Sequence, residues 1–225
     1  MKNKRFKFLC TVLSVILALF VFVGCDDKDK TVPYDESSSA SSENENRDAG
    51  LKQFDADKML SGKHHVSMEL KDLGTVVLEL DADEAPITVT NFCELAKSGF
   101  YDGLTFHRVL PGTLIQGGDP DGTGTGGPGY NIKGEFKDNE VDNNLSHTAG
   151  AISMARSMDF DSAGSQFFIC AADCSYYDGQ YAAFGHVTEG LQLIEQLCNT
   201  VPVQDNNGTV ADADKPIISK VTVID

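Results

Sequence analysis

Tryptophan is missing from this chain, arginine is scarce, and 18 Lys and Arg face 34 Asp and Glu, a formal charge of −16 over 225 residues. A surface of that sign repels phosphate backbones and anionic lipid heads, which argues against nucleic acid as a partner. Cysteine is present, but not in a zinc pattern. Beyond Cys25, only Cys93, Cys170, Cys174 and Cys198 remain, and no histidine stands at ligand spacing from them. They read as small buried hydrophobes, with a Cys170–Cys174 bridge as the alternative. The glycine-rich "GGDPDGTGTGGPG" lacks the Gly-Lys-Ser/Thr ending of a phosphate loop, and the acidic stretches at 137–144 and 205–214 lack EF-hand spacing. No metal or cofactor is expected. His107 and His186 are expected to satisfy structural hydrogen bonds. Long apolar runs are limited to residues 8–23, short of the roughly 20 residues that span a bilayer.

That run follows Lys2, Lys4, Arg5 and Lys7 and ends at Gly24 and Cys25, the layout of an export signal. "FVGC" resembles the lipobox of bacterial lipoproteins, which implies lipidation of Cys25, removal of residues 1–24 and an extracytoplasmic chain anchored to the cell membrane; the alternative is an ordinary uncleaved anchor with an incidental cysteine. Residues 26–50 hold eight acids, three bases and five serines with almost nothing apolar, so they cannot bury enough surface to offset their ordering entropy. Residues 25–62 are therefore expected to be the lipidated cysteine and its tether, with a helical turn or two in "LKQFDADKML". Residues 63–225 are one domain's worth of chain, carrying 24 acids against nine bases.

Within that domain, "HHVSMEL" and "GTVVLEL" alternate around "KDLG" and predict a hairpin. Residues 81–99 change to helical spacing, with Pro86 suited to the first turn and Gly99 to the end. Short strands are predicted at 105–109, 113–117, 150–155, 166–171 and 182–187. A second helix fits residues 189–199, and a last strand fits residues 216–225. Many short strands, two helices and glycine-rich connections point to a closed or nearly closed barrel capped by helices.

The domain has two arginines, Arg108 and Arg156, and its other bases are lysines. Lysine suffices for a solvated surface, whereas arginine supplies a rigid planar fork. Strict alternation places Phe106 and Arg108 on one face of "FHRV" and His107 and Val109 on the other. It likewise places Gln166 with Phe168, opposite Phe167 and Ile169. Strands apolar on both faces imply a core on one side and a groove on the other. A groove with an arginine, glutamines and aromatics suits an uncharged, partly apolar peptide.

The blocks "FHRVLPGTLIQGGD", "GTGGPGY", "GAISMAR", "GSQFFICAA" and "DGQYAAFGHV" resemble, in order, those of cyclophilin-type peptidyl-prolyl cis-trans isomerases, from about His65 to Val223. The resemblance implies an all-β fold: an eight-stranded, closed antiparallel β-barrel capped by two α-helices. It implies that Arg108 is the catalytic arginine and Gln116 the residue that positions it. Phe168 and Leu114 would receive the proline ring, and Gln166, Ala155 and Arg156 would bind the substrate backbone, Arg156 replacing a common asparagine. Tyr176, Tyr177 and Tyr181 would stand for the tryptophan, leucine and histidine of eukaryotic members, and Thr113 for a phenylalanine. The partners implied are proline-containing polypeptides among unfolded or exported chains, with the membrane reached through the lipid anchor and the protein monomeric. The alternative is a non-catalytic module of the same fold that only holds peptides.

Overall fold

The computed structural model describes residues 50–225; the expected signal segment and Cys25 lie outside the described residues. Strands β1 (Lys63–Leu70) and β2 (Gly74–Asp81) form the hairpin, and α1 (Pro86–Lys97) follows. Then come β3 (Thr105–Leu110), β4 (Leu114–Asp119), β5 (Ala151–Met154), β6 (Phe167–Cys170) and β7 (Ala183–Glu189). The chain ends with α2 (Leu191–Thr200) and β8 (Ile218–Val223). All eight strands join one antiparallel sheet in the order β3-β4-β6-β5-β7-β2-β1-β8. The sheet curls until its edges meet: Thr105 bridges Ile217, and the Phe106 and Ile218 amides donate to the Pro216 and Leu104 carbonyls. Closure leaves little open edge for a foreign strand to join.

Alternation fills the interior. Val66, Met68 and Leu70 of β1 meet Val76, Leu78 and Leu80 of β2, all buried. Phe92 of α1 plugs the barrel against Tyr101, Phe167 and Phe184, with ring centroids 4.8, 5.6 and 5.3 Å away. The N-cap of α1, Ala85, offers no side-chain acceptor. Buried Glu135 replaces it, accepting from the Ile87 and Thr88 amides at 2.9 and 2.7 Å and from the Thr88 hydroxyl at 2.7 Å. These are donors that a helix start otherwise leaves unpaired.

The structure corrects the sequence reading in three places. Residues 51–62, expected to belong to the tether, pack on the domain instead: Leu51 bridges Asn131, Lys52 pairs with Glu94 at 2.7 Å, and Phe54 and Leu60 pack on the core, while the rest of the expected tether, residues 26–49, lies outside the described residues. Only one short turn, Ala56–Lys58, forms there. Second, Phe106 and Arg108 do not share a face. The register against β4 slips between them, so His107 has no partner, and Phe106 and Val109 both enter the core. Such a bulge re-aims the following side chain. Gly117 permits it, since a Cβ there would lie 2.9 Å from the Phe106 ring. Third, His107 is buried yet neither ring nitrogen has a hydrogen-bond partner among the described residues, while His186 is exposed.

Candidate active site

Strands β4, β5 and β6 are apolar on both faces. Their outer face carries a second cluster of Leu114, Ala151, Phe168, Cys170 and Cys174, with Tyr177 and Tyr181 packed against it. Register alone builds the centre of the site. Arg108 pairs with Gln116, Gln116 with Phe168 and Phe168 with Ser153, so one row across four strands carries all four side chains. A cavity of about 370 Å³ opens over Arg108, Gln116 and Phe168 of this row, lined also by His107, Leu114, Ala155, Arg156, Tyr177 and Tyr181.

Phe168 is the floor and is only 4% exposed. Behind it lies His147, its ring nearly parallel at 13° and 5.8 Å. Tyr177 and Tyr181 meet the same phenyl ring at 5.7 and 5.8 Å. His147 is fixed on both nitrogens. Nδ1 donates to the Asp178 carboxylate at 2.8 Å, so Nε2 is left to accept from the Ser153 hydroxyl at 2.9 Å. Burial pushes the His147 pKa down, against the pull of Asp178. Burial also works to raise the Asp178 pKa, but bonds from Ser146 and His147 prevail and hold it below the ordinary range.

Arg108 forms the wall, held at two points. Its Nε donates to the Asn207 carbonyl at 2.7 Å and its Nη1 to Gln116 Oε1 at 2.9 Å. Gln116 Nε2 donates in turn to Gln166 Oε1 at 3.0 Å, and Gln166 Nε2 to the Gly126 carbonyl at 2.9 Å. The relay fixes both amide orientations and leaves the outer edge of the guanidinium facing the cavity.

Arg156 stands elsewhere on the rim, packed on Phe136, Phe160 and Tyr181 at 5.1, 4.9 and 4.7 Å. It donates to the carbonyls of Gln180 and Ser157. Together Gln116, Ala155 and Arg156 also border a second cavity of about 600 Å³ that includes Gln166 and residues 124–131. The two cavities make a groove longer than one residue.

Most of the expected site residues converge on this groove. Arg108, Gln116, Phe168, Leu114, Ala155, Arg156, Tyr177 and Tyr181 line the first cavity, and Gln166 lines the second. Tyr176 does not line either one: it is 57% exposed, on the outer side of the turn Ser175–Tyr177, against Tyr177. Thr113 also lies outside both linings, where its carbonyl accepts from the Ala171 amide and Cys174 Sγ. The four cysteines described are free and buried. Sequence reasoning missed the Asn207 carbonyl, Thr209 and the orphaned ring of His107. The Asp-x-Asn-Gly signature at 205–208 marks a tight turn and was the available signal for the first two. Among the described residues, no group of three His, Cys, Asp or Glu is placed to hold a metal ion. No described helix is long and apolar enough to cross a membrane.

Comparison with known proteins agrees with this geometry. Residues 65–223 match the family model described as cyclophilin type peptidyl-prolyl cis-trans isomerase/CLD. The chain is 49% identical over 130 residues to peptidyl-prolyl cis-trans isomerase B of Bacillus subtilis (58% of this chain, 87% of that one). It is 48% identical over 126 residues to a peptidyl-prolyl cis-trans isomerase of Helicobacter pylori (55% of this chain, 74% of that one). Among solved structures, a cyclophilin type isomerase of Cryptosporidium parvum superposes with a TM-score of 0.63 at 28% identity, over 72% of this chain and 98% of that one. The same protein solved in the presence of the dipeptide Ala-Pro gives a TM-score of 0.63 at 29% identity, over 72% of this chain and 99% of that one.

Proposed function

The chain belongs to the cyclophilin-type peptidyl-prolyl cis-trans isomerases, and we propose that it accelerates X–Pro isomerisation in exported polypeptides through Arg108. Resonance gives the peptide bond a rotation barrier of about 18–20 kcal/mol, and X–Pro bonds interconvert in tens to hundreds of seconds. At the twisted transition state the prolyl nitrogen loses conjugation and recovers a lone pair. A guanidinium N–H aimed at that lone pair binds the twisted state more strongly than either planar state, which is the interaction that raises a rate. Each 1.36 kcal/mol of that preference is about tenfold.

The carrying observation is the two-point anchoring of Arg108 beside the Phe168 floor. A tethered guanidinium loses little further freedom when it engages, and the half-buried setting strengthens its field. Phe168 and Leu114 hold the ring while the preceding chain turns, and the adjoining groove receives that chain. A module that only held peptides would have no use for a positioned donor edge at this point. The sequence "FVGC" supports an anchored, extracytoplasmic enzyme: the apolar run ends at Cys25, where a lipid would attach. A peptide with one X–Pro bond, equilibrated and then displaced from equilibrium, tests the activity. The relaxation rate should rise in proportion to enzyme concentration. Tight binding of the peptide with no change in relaxation would favour the holding module.

A further inference from the structure

Arg108 owes its orientation to a loop that is far away in sequence. The carbonyl that receives its Nε belongs to Asn207, in a stretch that covers the edge of β3 beyond its contact with residues 216–218. There the Val109 amide donates to the Gly208 carbonyl at 2.8 Å, the Val210 amide donates to the His107 carbonyl at 3.0 Å, and Arg108 bridges Thr209. Gly208 sits at φ +82°, and a Cβ there would lie 2.1 Å from the Val109 carbonyl oxygen, so the approach tolerates no side chain. One exposed carboxylate closes the turn from within. Asp205 Oδ1 accepts from the Asn207 and Thr209 amides at 2.9 and 3.1 Å, and Oδ2 accepts from the Thr209 hydroxyl at 2.9 Å. These bonds hold its pKa below the ordinary range, so it is ionised at neutral pH.

We propose that Asp205 is a positioning residue for the reaction, acting on Arg108 through the Asn207 carbonyl. It touches neither the cavity nor Arg108, since the first cavity includes Asn207 and Thr209 but not Asp205. The Asp205 carboxylate pins the peptide planes on either side of the one whose oxygen receives Nε, through the Asn207 and Thr209 amides, while the Gly208 amide of that plane donates to the Asp205 backbone carbonyl at 3.1 Å. Without it the Asn207 carbonyl turns more freely, and the guanidinium edge spends less time at the angle the prolyl nitrogen requires. The proposal rests on Arg108 being the catalytic donor.

Asp205→Ala, Asp205→Asn, Arg108→Ala and the Asp205→Ala/Arg108→Ala pair separate the two ideas. Asp205→Ala should lower kcat about three- to tenfold with KM little changed, because the hydrogen bond it misaligns is made in the transition state. The Arg108 Nε–H, observed by NMR, should exchange with solvent faster in Asp205→Ala than in the parent chain. Asp205→Asn should retain most activity and protection, since its Oδ1 still accepts both amides. In the Arg108→Ala background, Asp205→Ala should cause no further loss. Unchanged kcat and unchanged Nε–H exchange in Asp205→Ala would overturn the positioning role, as would an equal loss in both backgrounds. An Arg108→Ala chain with full activity would instead remove the reading on which the proposal rests.

Discussion

Gln116 offers a graded test of how the donor is held. It accepts from Arg108 Nη1 at 2.9 Å and donates to Gln166 at 3.0 Å, so Gln116→Ala removes one of two anchors and interrupts the relay. A hydrogen bond to a charged group contributes about 1.5–3 kcal/mol. Gln116 and Arg108 are both half-buried, so water takes up part of the lost bonding and the smaller end applies. A loss of about 1–2 kcal/mol of transition-state preference corresponds to roughly 5–30-fold in rate. It should fall on kcat, because the proline floor of Phe168 and Leu114 is untouched. Gln116→Glu should not restore the rate. Its carboxylate would hold Nη1 but draw the guanidinium's charge away from the prolyl nitrogen, and it would face the Gln166 oxygen with another acceptor. Progress curves over a range of peptide concentrations separate kcat from KM. A kcat within twofold of the parent for both variants would refute the view that Arg108 acts only when held.

The remaining predictions concern stability and location. Glu135→Ala should destabilise the fold by about 3 kcal/mol, since it strands the buried Thr88 amide and hydroxyl and the part-buried Ile87 amide at the start of α1; Glu135→Gln, which keeps an acceptor, should cost less, and urea titration ranks them. Burial keeps His107 and His147 below the ordinary histidine value, so the unfolded chain takes up protons first as pH falls through about 6.5. Stability should therefore be full above that pH and decline below it, by at most about 1.4 kcal/mol per pH unit for each histidine. The exposed His65–Asp225 pair raises the His65 pKa and acts with the opposite sign, so the comparison is with His147→Gln, whose acid loss should be smaller; equal losses would contradict the assignment. Cys25→Ser should release the exported chain from membranes, and membrane fractionation of both forms decides this.

Local pattern located the strands because the walls that matter are regular: "SQFFICA" alternates cleanly, and its two faces became the core and the groove. It failed where a distant partner sets the geometry. The bulge at His107 depends on Gly117 in the next strand, so strict alternation put Phe106 and Arg108 on one face. The tether reads as reaching residue 62 because Leu51, Phe54 and Leu60 are isolated among charges, and what they pack against lies near Thr90 and Asn131. The family blocks located Arg108, Gln116 and Phe168, yet a matched position does not give a direction, and Tyr176 points outward where Tyr177 points in. The Asn207 carbonyl was hidden for a simpler reason. A backbone acceptor in an acidic, glycine-containing loop looks like solvated chain until the fold lays it beside β3.

Everything proposed for the reaction depends on Arg108 stabilising the twisted bond while doing little for the planar ones. Two-dimensional exchange NMR on a labelled X–Pro peptide reads both quantities in one sample: the catalysed cis–trans rate and the affinity of the planar forms. With Arg108→Ala, the exchange rate at saturation should fall by more than about tenfold while peptide affinity changes by less than about threefold. Arg108→Lys should recover only part of the rate, since it keeps the charge and loses the fork held by Asn207 and Gln116. A folded Arg108→Ala chain that binds the peptide and exchanges it at the parent's rate would show that the guanidinium does not drive the reaction.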